Sequence, residues 1–419
     1  MSAHDLPRPV EKPNFFTPGT LALVAIMALG AAFGLWRYIS GLEPVTNLTN
    51  TYPWGIWKAI NVAAIAAYGS SGFTLTFIIH VLNKEKYHSL MRPGLIVGLL
   101  CYTFVGIALI VDIGKYYDIW HPLWPTMWQG NSALFEVAMC VMCYLTVLYI
   151  EFAPLAFERF IGKVNLPGAL AGFNKLTEGI LKLGRTVLGR TMGIFMALGI
   201  TLCCLHQATL GTLMVITQGK LHGLWWTQAL PLLFLSSAAA VGLCSAVVAS
   251  LWSSKAFGLK YEMKAITSLA RSIPIVIAFY AALRIIDLAL RDSLGLMFEG
   301  SGRSYMFLVE FFIGVILPMI IFLFQSARKS PRAMFFASFL FMLGIGLNRV
   351  NTYLTGYMPY NANGAFYFPT FAEIIICVAQ IAAIIFLYRL IAYIFPVMSQ
   401  PAKEEEPAQA GAKSQPQPA

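Results

Sequence analysis

Charge is what this sequence has least of. Only 11% of its 419 residues are Asp, Glu, Lys or Arg, while 58% are hydrophobic; soluble domains carry about 25% charged residues. That shortage excludes a soluble globular chain. Strand-period alternation is missing as well, which argues against a transmembrane barrel. Cys101, Cys140, Cys143, Cys203, Cys204, Cys244 and Cys377 all fall inside apolar runs, none in a loop that could carry a disulfide framework. Cys140 and Cys143 form a C-x-x-C, but no further cysteine group has zinc or iron–sulfur spacing, so these read as small core residues and no metal ligands are expected. Histidine is scarce too. His4 lies in a tail, His80 and His88 near one face, His121 and His222 in loops at the other, which leaves His206 alone within a span. A b-type haem in a bundle usually needs two facing histidines, so haem is not expected.

Apolar runs of about twenty residues, each enough to cross a hydrocarbon core about 30 Å thick, fill most of what remains. They predict spans near 20–40, 54–82, 93–114, 131–155, 192–217, 227–251, 272–292, 305–325, 333–353 and 370–395. The expected fold is all-α, a polytopic membrane bundle of about ten helices. A tail at 1–19, a membrane domain at 20–400 and a disordered Pro-, Ala-, Gln- and Glu-rich tail at 401–419 complete the division. The first span lacks a convincing cleavage site and reads as a retained anchor.

The net charge of +10 belongs to topology rather than to nucleic acid. The two tails and the loops after the second, fourth, sixth and eighth spans hold twenty basic residues, against Lys115, Lys220, Arg291 and Arg303 on the other side. Both termini are therefore expected in the cytoplasm, in a bacterial inner membrane. The loop at 159–190 carries Leu166, Leu170, Phe173, Leu176, Ile180 and Leu183 near helical spacing among Lys175, Lys182 and Arg185. It reads as an amphipathic helix resting on inner-leaflet lipid. The opposite loops are aromatic: Trp120-His121-Pro122-Leu123-Trp124, Leu224-Trp225-Trp226, and Tyr357 through Pro369. They suit an interfacial belt and a docking surface for an extracytoplasmic partner.

Ionisable groups inside apolar spans are costly and tend to mark interior or wet sites. Placed at about 1.5 Å per residue, Lys58, Asp112, Glu136, Arg284, Asp287, Glu310, Arg349 and Glu373 all fall near the outer face. Only His206, followed by Gln207, lies nearer the midplane. Ion pairs that lock helices together would explain any one of these. A layer drawn from so many helices points to a buried polar site at which carboxylates relay protons.

Several stretches carry a resemblance: Tyr52-Pro53-Trp54-Gly55-Ile56-Trp57; Asp112-Ile113-Gly114-Lys115 with Ile119-Trp120-His121-Pro122; Ser132-Ala133-Leu134-Phe135-Glu136-Val137; His206-Gln207-Ala208-Thr209-Leu210-Gly211; and Leu347-Asn348-Arg349-Val350-Asn351. In this order, over about residues 20–395, the chain resembles the NrfD/polysulfide-reductase family. Within it the likeness is to the integral membrane (cytochrome b-type) subunits of periplasmic nickel–iron hydrogenases of the hydrogenase-2 type. Lys115 stands where the wider family often has arginine, which keeps the charge but loses the guanidinium fork. The resemblance implies a bundle built on four-helix units and a haem-free, quinone-reactive anchor taking menaquinone or ubiquinone near the periplasmic side. It implies a ferredoxin-like iron–sulfur subunit and the hydrogenase large and small subunits as partners, which would hold all the clusters and the nickel–iron centre. On that reading His206, Asp112, Trp120, His121, Arg349 and Arg284 contact quinone. Glu136, Asp287, Glu310, Glu373 and Lys58 move or balance protons. Another respiratory module could replace the hydrogenase. A secondary transporter is disfavoured because the charges crowd one face rather than the midplane.

Overall fold

The computed structural model describes residues 14–359 and 366–397. The expectations for His4 and the basic residues at the start of the tail at 1–19, for the tail at 401–419 and for positions 360–365 of the last aromatic loop lie outside the described residues.

Ten helices are long and apolar enough to cross a membrane: α1 (Pro18–Ser40), α2 (Trp57–Val81), α3 (Glu85–Asp112), α4 (Ala133–Phe160), α5 (Leu170–Val215), α6 (Leu230–Ala256), α7 (Met263–Leu290), α8 (Gly302–Leu323), α9 (Pro331–Thr355) and α10 (Phe371–Ile394). The chain is a polytopic helical membrane protein. Starts are set by local chemistry. Thr17, Ser132 and Ser330 each accept a hydrogen bond from a backbone N–H in the first turn of α1, α4 and α9. Thr370 and Glu373 form a reciprocal capping box on α10.

Helices α2 to α5 close into one four-helix unit and α6 to α9 into a second; α6 packs on α2, α3 and α5 to join them, and α1 pairs with α10 against α2 and α3. The centre is α2 and α6, which are 83% and 78% buried, while α1 and α5, at 11% each, form the periphery. Small residues permit the closest crossings, as is common where hydrophobic burial alone does not drive helix association. A Cβ on Gly344 of α9 would stand 2.3 Å from the Gly314 carbonyl of α8.

The loop at 159–190 differs from expectation. A short 3₁₀ turn, Gly168–Phe173, leads into one continuous helix, Asn174–Val215, of 42 residues. No proline interrupts it, so the amphipathic stretch and the fifth span are a single rod about 63 Å long at 1.5 Å per residue. Arg185 and Arg190 lower the hydropathy without breaking the helix, which is why the span reads as starting near 192. Glu178, inside the rod, ties it to the end of α4 by accepting from Gly162 N–H. Among the cysteines, Cys143 is exposed on α4 rather than part of the core.

Candidate functional site

Three of the membrane helices contain π-helical turns near the polar layer. These are Trp57–Ala64, which carries Lys58; Val309–Ile316, which carries Glu310; and Asn351–Thr355, which follows Arg349. The wider turn shifts side chains off the ordinary helical register and recurs at functional sites. The layer read as continuous in the sequence separates here into distinct groups.

The first group joins α1, α2, α3 and α10. Lys58 Nζ lies 2.6 Å from an Asp112 carboxylate oxygen. Asp112 is buried and its Oδ1 has no hydrogen-bond partner, whereas the Lys58 side chain is 26% exposed. Arg37, buried in α1, donates to the carbonyls of Val111 and Ile113 on either side of Asp112. The same guanidinium lies over Tyr38 and Tyr116. Glu373 is saturated: it accepts from Asn47 N, Thr370 N and the Tyr367 hydroxyl. Trp57 Nε1 donates to the Glu373 carbonyl. Burial and the Glu373 bond push the Tyr367 phenol well up from its ordinary pKa, which keeps it a donor.

The second group belongs to α7, α8 and α9. Glu310 accepts from Asn348 Nδ2 at 2.6 Å, Asn351 Nδ2 at 2.8 Å and Trp225 Nε1 at 2.9 Å, with Arg284 at 3.9 Å. Arg284 also donates to the Leu224 carbonyl and lies over Phe307. Arg349 bonds Asn348 Oδ1, Ser237 Oγ and the Phe234 carbonyl, and its guanidinium sits 3.6 Å from the Phe234 ring centroid. The loop between α5 and α6 closes over this group. It is fastened by the Leu221–Tyr357 bridge and by Arg291, which bonds the Gly223 carbonyl and Asp287. Asp287 also accepts from Thr227, so it belongs to the fastening. Within that loop, burial and the Arg303 cation lower the His222 pKa, leaving its imidazole neutral at pH 7.

The third group runs through the first four-helix unit. Gln207 Nε2 donates to the Ala66 carbonyl and the Tyr102 hydroxyl, which lies 3.5 Å from Cys203 Sγ. The His206 ring is 5.3 Å from Tyr102. Neither His206 nitrogen makes a hydrogen bond, although the ring is fully buried and the Val137 carbonyl lies alongside. Glu136, expected inside, is exposed in the first turn of α4 and bonded by Thr209. It projects outward because the interior stripe of α4 passes through Val137, Val141 and Tyr144.

Trp120 and His121 also stand apart from the buried groups. Trp120 is 48% exposed, and His121 is 3.6 Å from Asp118, on the α3–α4 loop whose Trp124 and Trp128 are exposed as well. Sequence reasoning gave no site role to Arg37, Asn348, Asn351 or Tyr367. An arginine in the apolar first span carried a signal of its own; the two asparagines stand in a motif that carries the resemblance, but nothing local ties them to Glu310 until α9 packs on α8.

The polysulphide reductase NrfD family matches residues 44–359. The chain is 29% identical over 365 residues to the probable Ni/Fe-hydrogenase 2 b-type cytochrome subunit of Escherichia coli (strain K12), covering 86% of this chain and 88% of the relative. A protein of Nitratidesulfovibrio vulgaris is 30% identical over 393 residues, 92% of this chain and 95% of its own. The menaquinone reductase integral membrane subunit of the same organism is 26% identical, over 84% of this chain and 85% of that one. Against the cytochrome in one of those names, His206 is the one buried histidine among the described residues. The described residues therefore do not fit a haem held by two facing histidines.

Proposed function

The chain belongs to the polysulphide reductase NrfD family, and from that membership together with the polar groups we propose that it is the quinone-reactive membrane subunit of a respiratory oxidoreductase complex. The observation that carries this reading is the Lys58–Asp112 pair. The Glu310 and Glu373 carboxylates are fully engaged by protein donors. Neither buried Asp112 oxygen has a hydrogen bond: Oδ2 is met by the part-exposed Lys58 ammonium alone, and Oδ1 is left without a partner. A buried carboxylate oxygen with no partner is costly unless a ligand or water meets it. A quinone headgroup there would meet an ammonium donor and a carboxylate able to pass a proton. Arg37, bonded on both sides of Asp112, holds that carboxylate in place.

The redox centres would lie on partners. The outer loop that follows Asp112 exposes Tyr117, Trp120, Leu123, Trp124, Met127 and Trp128. A patch of that kind suits a protein interface, and a ferredoxin-like iron–sulfur subunit docked there would deliver electrons beside Asp112. A nickel–iron hydrogenase as the catalytic module and menaquinone as the acceptor are the choices favoured by the names of the similar proteins. His206, with two unbonded nitrogens inside the first unit, is the interior group offered for proton exchange. Glu136 would exchange protons at the surface. The basic loops support an orientation with both termini in the cytoplasm of a bacterial inner membrane.

The test is Asp112→Asn in the purified complex, assayed with quinone and separately with a dye that takes electrons from the partner. Quinone turnover should fall by tenfold or more while dye turnover holds, since one positioned acid–base group contributes on the order of 10²–10⁴. Equal turnover of quinone in the variant and the parent protein would remove Asp112 from the site. The chains that copurify decide the partner: hydrogenase subunits support the hydrogenase assignment, and a different redox module moves the substrate.

A further inference from the structure

A second polar feature lies at the opposite end of the bundle, away from the quinone groups. A groove of about 560 Å³ opens between the α2–α3 connection and the start of α7, lined by Lys86, Met263, Lys264, Ala265, Thr267, Ser268 and Arg271. Three of the seven lining residues are cations and none is an acid. Lys264, Thr267, Ser268 and Arg271 share one face of α7 because their spacing is three, four and seven. Lys86 reaches the groove from the other wall. The two walls are joined where the Tyr87 hydroxyl meets Ser268 Oγ at 3.1 Å. The start of α7 has no side-chain cap; its first N–H donates to the Tyr261 carbonyl, and the helix dipole adds positive potential there. Glu85 and Glu262 are the nearby acids in sequence, while Thr267 donates its hydroxyl to the Arg328 carbonyl.

We propose that this groove binds a phosphate-ester anion, the headgroup of an anionic phospholipid. Its place favours lipid over a soluble phosphate. It sits where α7 begins, at the level of headgroups, with Met263 and Ala265 as an apolar lip beside the cations. Basic pockets at the ends of membrane helices capture such headgroups, each Lys or Arg near an anionic surface contributing about a fivefold factor in affinity. The side chains of Lys86, Lys264 and Arg271 are exposed, so the site is open to lipid in the assembled membrane.

The experiment uses the full chain in mild non-ionic detergent, with thermal unfolding followed during titration with phosphatidylglycerol, phosphatidylcholine or inorganic phosphate. Phosphatidylglycerol should raise the midpoint where phosphatidylcholine does not. The triple variant Lys86→Gln, Lys264→Gln, Arg271→Gln should weaken that response on the order of a hundredfold. A control with Lys329→Gln and Arg332→Gln, cations outside the groove, should respond like the parent chain. If inorganic phosphate alone reproduces the shift in the parent and not in the triple variant, the anion chemistry stands and its source is soluble. A triple variant that responds as the parent does, or a control that loses the response equally, overturns the site. Should the triple variant fail to fold, Lys86→Gln alone, on an exposed side chain, repeats the comparison with a several-fold loss expected.

Discussion

Glu310 and Asp112 are both buried acids in apolar helices, yet their surroundings assign them different work. Three side-chain donors converge on Glu310 and Arg284 stands behind them. Removing one partner of a buried ion pair costs about 3–5 kcal/mol because the other charge is left uncompensated. Glu310→Gln should therefore lower the thermal unfolding midpoint in detergent well below that of the parent, and an unchanged midpoint would refute a locking role. Asp112→Asn should shift the same measurement little, since its Lys58 partner retains access to solvent. His206 offers a sharper case. Its buried nitrogens are unbonded, and a buried polar group left so costs about 1–3 kcal/mol. His206→Leu should thus be neutral or stabilising in the melt while quinone turnover falls. Loss of stability would instead reveal a structural bond through that ring. The residue types of this layer were legible in the sequence, because charge in an apolar span is conspicuous. Their partners were not: Asn348 and Asn351 of α9 and Trp225 of the α5–α6 loop meet on one carboxylate only once those segments pack against α8.

At the scale of the element, nine of the ten spans lie close to the apolar runs that announce them. The fifth departs, since hydropathy marks where lipid begins and not where hydrogen bonding stops. Its helix runs on through Arg190, Arg185 and Lys182 toward Asn174 with its i→i−4 bonds intact. π-Turns were illegible for a related reason. They are forced where a neighbouring helix demands a particular side-chain direction, and that demand lies outside the local sequence. Helix crossings can be tested through glycine. Gly344→Val would drive α9 from α8, because the Gly314 carbonyl lies 2.3 Å from the added Cβ. Overpacking of this kind typically costs about 1–3 kcal/mol. Thermal unfolding should show the loss, with Gly106→Ala, which meets nothing within 4 Å, as the unaffected comparison.

For the whole molecule, the basic loops all emerge at one end and the open Lys58–Asp112 pair lies at the other. A reporter that is active only in the cytoplasm, fused after the last residue, should be active, while one inserted in the loop at 116–128 should not. The reverse pattern would invert the orientation and move the electron-donating partner to the other side of the membrane. By itself the sequence determined the class, the number of spans and the end of the bundle at which charge collects. Those follow from composition and periodicity, which are properties of each segment alone. The tertiary structure decided that the charges form separate groups. It sealed Glu310 beneath the α5–α6 loop, turned Glu136 and Trp120 outward, and left Asp112 with an unpaired oxygen. The reason is that pairing depends on which helices become neighbours and how each is rotated, and both are settled by packing between segments far apart in the chain.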